Sequence, residues 1–253
     1  MDNPRSILIT GASSGIGEAL ALEYAAPQTH LCLSGRHPGR LGDVADRCRQ
    51  KGASVVAETI DATDAPAMTR WLAACDEAVP LDLVIANAGI AGGDSAMEAD
   101  LPATDILFAV NVGGVLNTVQ PAIRHMLPRG AGQIAIVSSL ASFRGFPGAP
   151  AYSASKAAVR VWGEALRARH REDGIAVSVI CPGFVVSRMT DRNLFPMPLL
   201  MTADRAARII RRGLARNRGR IAFPWPTYFV SWLLGVLPPF LGDRLLKDAP
   251  RKE

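Results

Sequence analysis

Ser6-Ile7-Leu8-Ile9-Thr10-Gly11-Ala12-Ser13-Ser14-Gly15-Ile16-Gly17 is the stretch that decides the fold class of this 253-residue chain. Ser6 to Ile9 is short, apolar and β-branched, the pattern of a buried strand. A glycine turn follows, and the segment from Glu18 to Ala25 is amphipathic at helical spacing. Strand, glycine turn and helix together give the glycines a meaning. They let main chain come close to a pyrophosphate, and the helix N-terminus offers free N–H groups and a positive dipole end. Gly11, Ser13, Ser14, Gly15, Ile16 and Gly17 are therefore candidate nucleotide-binding residues, with a plain glycine turn as the alternative.

The same alternation continues outward from that turn. Strands are expected at His30–Ser34, Ser54–Ile60, Leu81–Ala86, Gln133–Val137, Gly174–Ile180 and Arg220–Phe223. Helices are expected at about Arg40–Lys51, from Asp64 as N-cap to about Cys75, at Thr104–Met126, from Tyr152 to about Arg171, and from Thr202 as N-cap. No linker, repeat or low-complexity tract divides the chain. The reading is one α/β unit over residues 1–253, a Rossmann-type doubly wound parallel sheet of about seven strands with helices on both faces. Residues 187–216 are read as a substrate lid and 224–253 as a tail with a short apolar helix.

In such a sheet ligands lie beyond the carboxyl ends of the strands. Gly35 and Arg36 stand at the end of the second strand, where an acidic residue would bind a ribose 2′-hydroxyl and an arginine accommodates a 2′-phosphate. Arg36 therefore favours NADP(H) over NAD(H). Asp61 and Ala62 close the third strand, with Asp61 placed to bond an adenine amine. Asn87-Ala88-Gly89 closes the fourth, small enough for main chain to pass beside a flat ligand. Ser139 ends the fifth, and Pro182-Gly183 the sixth, with Ser187 beyond it.

The chemistry points to Tyr152-Ser153-Ala154-Ser155-Lys156. In a helix Tyr152 and Lys156 are one turn apart on one face. An ammonium beside a phenol is expected to lower the phenol pKa from about 10, which suits Tyr152 to acid/base work. Asn111 in the middle of a helix is disfavoured unless its side chain has a task, either bonding a neighbouring backbone group or holding a water.

Composition narrows the class. Apolar residues make up 49% and charged residues 20%, which excludes disorder. Cys32, Cys48, Cys75 and Cys181 form no metal-ligand spacing, so no metal is expected, and they read as reduced thiols of a cytoplasmic protein. Residues 1–128 carry 8 Lys/Arg against 15 Asp/Glu, and residues 129–253 carry 20 against 8. The basic half suggests an anionic partner. It has no nucleic-acid motif and no interleaving of aromatic and basic residues, so nucleic acid is not expected.

Thr10-Gly11-x-x-x-Gly15-Ile16-Gly17, Asp61, Asn87-Ala88-Gly89, Asn111, Ser139, Tyr152-x-x-x-Lys156 and Pro182-Gly183 fall in an order that resembles the short-chain dehydrogenase/reductase family of about 250 residues. Ala86 stands where a second asparagine is frequent, and Ser187 where a threonine usually contacts the nicotinamide amide. The resemblance implies an NAD(P)-binding oxidoreductase that interconverts a carbonyl and a secondary alcohol. It assigns Tyr152 as general acid or base and Ser139 as the hydrogen-bond partner of the substrate oxygen. Lys156 would lower the Tyr152 pKa and bind the nicotinamide ribose, and Asn111 would position a relay water. Tyr152 and Lys156 thus belong to the cofactor site as well. A catalytically idle nucleotide-binding scaffold or sensor of the same fold is the alternative.

The resemblance also implies a homodimer or homotetramer built from the Asn111 and Tyr152 helices, the latter carrying Val159, Trp162 and Leu166. The lid side chains Met189, Leu194, Phe195, Met197, Leu199, Leu200 and Met201 suggest an apolar substrate, although they could equally pack on the protein itself. From Ile221 to Gly242 there are 22 residues without a charge. Pro224, Pro226, Pro238 and Pro239 leave Thr227–Leu237 as an uninterrupted helix, too short to cross a bilayer. Arginines from Arg205 to Arg220 precede it, and Arg244, Lys247, Arg251 and Lys252 follow. That pattern fits a peripheral site on the inner face of an anionic membrane, or packing on the lid or a second subunit.

Overall fold

The structure is a computed structural model that describes residues 4–91, 101–188, 190 and 196–246. Seven parallel strands form one sheet in the order β3-β2-β1-β4-β5-β6-β7. They are β1 (Ser6–Thr10), β2 (His30–Gly35), β3 (Ser54–Thr59), β4 (Leu83–Ala86), β5 (Gly132–Val137), β6 (Ile175–Pro182) and β7 (Arg220–Phe223). The interior strands are buried along both faces, which is why they read as continuous apolar runs. Edge strand β3 is half exposed and carries Glu58.

The helices described are α1 (Gly15–Tyr24), α2 (Pro38–Gln50), α3 (Ala65–Ala78), α4 (Leu101–Phe108), α5 (Gly114–Met126), α6 (Pro150–Arg169), α7 (Ala203–Ala215), α8 (Trp225–Val236) and α9 (Pro239–Leu246). Alternate residues of β1 feed opposite faces of the sheet. Ile7 and Ile9 belong to one core cluster with Leu20 of α1, Leu41 of α2 and Ile210 of α7. Leu8 belongs to a second with Met68 of α3, Val119 of α5 and Val159 of α6. Asp64 caps α3 by accepting from Ala67 N at 2.9 Å, and Thr202 caps α7 by accepting from Arg205 N at 3.4 Å. Both caps lie where the sequence puts them.

The helix expected at Thr104–Met126 is continuous, α4 and α5 running together through a π-helical turn over Ala109–Gly113 that contains Asn111. Three expectations are corrected. The lid expected at 187–216 cannot extend through α7. Ala206, Ala207, Ile210 and Leu214 are buried, so that helix is a fixed layer on α1. Val159 is buried against the molecule's own sheet and is not spare apolar surface, while Trp162 and Leu166 are only half covered by the same core. The tail holds two short helices, because Pro224 and Pro226 fall at the start of α8 and Pro239 starts α9. Met189, Leu194, Phe195, Lys247, Arg251 and Lys252 lie outside the described residues.

Candidate active site

Strand order reverses between β1 and β4, which are hydrogen-bonded neighbours, and a crevice opens beyond their carboxyl ends. Gly11 and Gly15 adopt φ of +65° and +60°, which L side chains rarely tolerate. A Cβ on Gly11 would lie 2.8 Å from Ala88 Cα, and one on Gly17 would strike the Gly11 carbonyl oxygen and lie 2.5 Å from Asn87 Nδ2. The loops after β1 and β4 are tied together. Asn87 Nδ2 donates to the Thr10 and Gly11 carbonyls at 3.0 and 3.1 Å, and Asn87 N and Ala88 N both donate to Thr10 Oγ1 at 3.1 Å. Ser14 makes no side-chain cap on α1, so the first N–H groups of that helix are left for another acceptor.

These loops border a cavity of about 1030 Å³. Gly11, Ser13, Ser14, Gly15, Ile16, Arg36, Asp61, Ala62, Asn87, Ala88, Gly89, Ser139, Tyr152, Lys156, Pro182, Gly183 and Ser187 all line it. Of the residues singled out in the sequence, Gly17 and Asn111 stand behind the wall. Across the cavity, a Cβ on Gly15 would come within 3.1 Å of Ser187 Cβ.

At the far end of the β2 side, Arg36 Nη1 lies 3.8 Å from Asp61 Oδ2, so two residues read separately in the sequence face one another. Asp61 Oδ1 accepts from Thr63 N and Thr63 Oγ1 at 2.9 Å. Arg40 lines the same end, and its Nε is buried without a hydrogen-bond partner among the described residues.

At the other end Ser139 follows β5, where its Oγ accepts from Ala141 N at 3.1 Å and bonds the Tyr152 phenol. Tyr152 sits in the first turn of α6, and Lys156 one turn on is buried. Lys156 Nζ donates to the Val137 carbonyl at 3.1 Å and lies 5.9 Å from the Tyr152 ring centroid. Ser138 Oγ donates to the Lys156 carbonyl at 2.8 Å and fixes the helix against β5.

The expected sign of the Tyr152 shift is corrected. Burial raises its pKa above the ordinary value near 10, and only the Ser139 hydrogen bond pulls it down. The Lys156 ammonium is turned to the Val137 carbonyl and is itself desolvated. Burial lowers the Lys156 pKa from 10.5 to about 8, against a small opposing effect of Cys181.

Asn111 is fully buried, and its side chain bonds protein at both ends. Its Oδ1 accepts from Ile90 N at 2.8 Å, and its Nδ2 donates to the Ile90 carbonyl at 2.9 Å and to Ser155 Oγ at 3.1 Å. Ser155 Oγ in turn donates to the Tyr152 carbonyl at 2.8 Å. The side chain expected to hold a water or a neighbouring group instead clamps a loop 21 residues away to the Tyr152 helix.

The segment after β6 is pinned at its base by Val186 N donating to the Met201 carbonyl at 2.9 Å. Ser187 N donates to Thr190 Oγ1 at 2.8 Å. Pro196 and Pro198 border the cavity, as do Pro226, Thr227, Val230, Ser231 and Leu234 of α8. Leu199 and Leu200 are exposed, while Met201 is buried. Sequence reasoning missed Arg40, Ser138, Ser155 and the α8 wall. Arg40 was detectable as a second cation four residues after Arg36. The α8 wall was not, since nothing local says where the tail returns.

The comparisons with known proteins agree with this geometry. A family model described as short chain dehydrogenase matches residues 5–195. An uncharacterized oxidoreductase of Myxococcus xanthus is 38% identical over 240 residues, covering 94% of this chain and 95% of its own. A short-chain dehydrogenase of Sphingobium yanoikuyae solved with NADPH shares the fold at TM-score 0.81 and 24% identity, covering 98% of this chain and 97% of its own. One from Burkholderia phymatum solved with NAD does so at TM-score 0.84 and 24% identity, covering 100% and 98%. The chain belongs to the short chain dehydrogenase family of oxidoreductases.

Proposed function

We propose that the protein is an NADP(H)-dependent oxidoreductase that interconverts a carbonyl and a secondary alcohol on an apolar small molecule. The observation that carries this reading is the convergence of Ser139, Tyr152 and Lys156 on the cavity that the glycine turn borders. The residues fit a dinucleotide. Bare main chain at Gly11, Gly15 and Gly17 leaves no room for side chains, and the α1 N–H groups await an acceptor. Gly11, Ser13, Ser14, Gly15 and Ile16 would hold the pyrophosphate, Asp61 and Ala62 the adenine, and Asn87, Ala88 and Gly89 the adenosine side of the crevice. Lys156 would hold the nicotinamide ribose, and Pro182, Gly183 and Ser187 the nicotinamide. When bound, the nicotinamide supplies or takes the hydride.

The chain's own groups handle the proton and the oxygen. Ser139 Oγ lies beside the Tyr152 phenol and can bond a substrate oxygen as charge develops on it. Tyr152 gives that oxygen its proton in reduction and takes it back in oxidation. Its raised pKa keeps the phenol protonated at neutral pH, which suits reduction. The Asn111–Ser155 clamp fixes the turn of α6 that carries Tyr152. The wall from Val230 and Leu234 of α8, with Pro196 and Pro198, supports an apolar substrate. Buried thiols at all four cysteines support a cytoplasmic setting. Exposed Ile106, Phe108 and Val161 on α4 and α6 support a homodimer or homotetramer through those helices, in place of Val159.

The pH dependence follows from Lys156. In the reduction direction both Tyr152 and Lys156 must be protonated. Lys156 loses its proton first, at about 8, so kcat/KM is expected to be level below that pH. Above it, kcat/KM should fall about tenfold per unit. Lys156→Arg should remove that limb. A limb that stays in place would assign it to another group. Stability runs the other way. Between about 8 and 10.5 the unfolded chain holds the proton that the folded chain has lost, so raising pH through that window stabilises the fold.

NADP preference is assigned to Arg36 and Arg40 together. A charge-assisted bond is worth roughly 1.5–3 kcal/mol, so Arg36→Leu with Arg40→Leu should weaken NADPH binding by about ten- to a hundredfold or more. NADH affinity should be unchanged, as measured by titration calorimetry. Equal wild-type affinity for NADPH and NADH would refute the assignment.

A further inference from the structure

Helix α8 presents three faces, and among the described residues only two of them have a partner. At 100° per residue Tyr228, Ser231 and Gly235 share one side. Tyr228 packs edge-on against Phe143 at 5.5 Å between ring centroids, Ser231 is buried, and a Cβ on Gly235 would strike the Phe143 carbonyl. A second side, with Thr227, Val230 and Leu234, borders the catalytic cavity. The third carries Trp225, Phe229, Trp232 and Val236. The rings of Trp225, Phe229 and Trp232 stack on one another, with centroids 5.2 and 6.2 Å apart. This side is exposed among the described residues, with Trp225 67% exposed, and the following helix α9 also exposes Phe240 at 71% and Leu245 at 64%. The patch lies beyond residue 195, where the family match ends.

Beside this stripe is a cationic depression of about 410 Å³, lined by Arg212, Arg216, Arg218, Arg220, Trp225 and Tyr228. Arg220 is held by Glu164 and by Tyr228 Oη at 3.2 Å. Arg212, Arg216 and Arg218 are exposed and make no ion pair among the described residues. Residues 203–246 carry eight arginines against two aspartates. Trp225 belongs both to the depression and to the stripe, so cations and aromatics form one surface.

We propose that this surface docks the protein on a lipid bilayer with anionic phosphate headgroups. Arg212, Arg216 and Arg218 receive the headgroups, and Trp225, Phe229, Trp232 and Phe240 enter the headgroup–acyl boundary. The helix does not span. Its 12 residues reach about 18 Å, against a hydrocarbon core of about 30 Å. Charge decides against a second copy as the occupant. A two-fold contact through this patch sets the same net-positive surface against itself. An anionic surface complements all three arginines. Docking also sets the cavity wall of α8 beside the lipid, the phase in which apolar carbonyl compounds dissolve.

The test is flotation of the full chain with vesicles of phosphatidylcholine alone and with vesicles in which half is replaced by phosphatidylglycerol. The wild type should float with the mixed vesicles at least tenfold more than with the neutral ones. Flotation should weaken as salt shortens the Debye length from about 10 Å at 0.1 M to about 3 Å at 1 M. Arg212→Glu with Arg216→Glu and Arg218→Glu should abolish it. Trp225→Ser with Phe240→Ser should reduce it at low salt, while circular dichroism and turnover of a soluble substrate stay unchanged. Wild-type protein that stays with the soluble fraction, or floats equally with both vesicles, overturns the proposal. So does light scattering in which the serine variant loses a dimer that the wild type forms through this face. Flotation reads no chemistry at Tyr152, so its outcome is separate from that of the oxidoreductase reading.

Discussion

Tyr152→Phe is expected to lower kcat by about 10² to 10⁴-fold, the range that a positioned acid or base supplies, while NADPH affinity stays within about twofold of wild type. The substitution removes one oxygen from a ring that is otherwise held by α6. Its hydrogen-bond partner Ser139 keeps a second bond, from Ala141 N at 3.1 Å, so the serine stays in place. The loss should therefore appear in the chemical step and not in cofactor binding. Stopped-flow single turnover separates the two. Activity within about tenfold of wild type would show that another group moves the proton.

Gly17→Ala is expected to weaken NADPH binding at least tenfold and to lower stability by about 1–3 kcal/mol, the usual cost of overpacking. The added methyl would meet the Gly11 carbonyl oxygen and Asn87 Nδ2, both of which belong to the hydrogen bonds that join the β1 and β4 loops. The atoms in the way are main chain and a bonded amide, so relief requires the glycine turn itself to move. Gly42 is the control, because a Cβ there meets nothing within 4 Å. Gly42→Ala should leave binding unchanged and stability equal or higher. Thermal melts with calorimetry of both variants read the contrast. Similar losses in both would show that the turn does not depend on bare main chain at Gly17.

The elements that could be read in the sequence are those set by local rules. β1 and its glycine turn stand out because strand, turn and helix signals follow one another within 20 residues. Asp64 and Thr202 announce α3 and α7 because a cap acts within three residues of itself. Tyr152 and Lys156 are readable because helical spacing alone places them together.

What could not be read depends on partners far along the chain. The sequence shows that the Asn111 side chain needs a task but not that Ile90 and Ser155 are its partners. The Tyr152 shift came out with the opposite sign because sequence spacing shows a nearby cation but not the burial of both groups or the pull of Val137 on the ammonium. Arg36 and Asp61 were assigned separate tasks because their 3.8 Å approach is made by the pairing of β2 with β3. The apolar stretch from Ile221 to Gly242 is readable as a short helix, and the sequence leaves open whether it meets a membrane or packs on protein. Which of its residues face the cavity and which face outward follows from the packing of Tyr228 on Phe143.

The most direct test of the oxidoreductase reading is transfer of deuterium from NADPH labelled at the transferable position to a panel of apolar ketones, read by mass spectrometry of the alcohols. The wild type should place one deuterium on the carbinol carbon of at least one ketone, and Tyr152→Phe should give about a hundredfold less or lower. If both proteins bind NADPH tightly and neither labels any ketone, the cavity is that of an idle nucleotide-binding scaffold, and the account is contradicted.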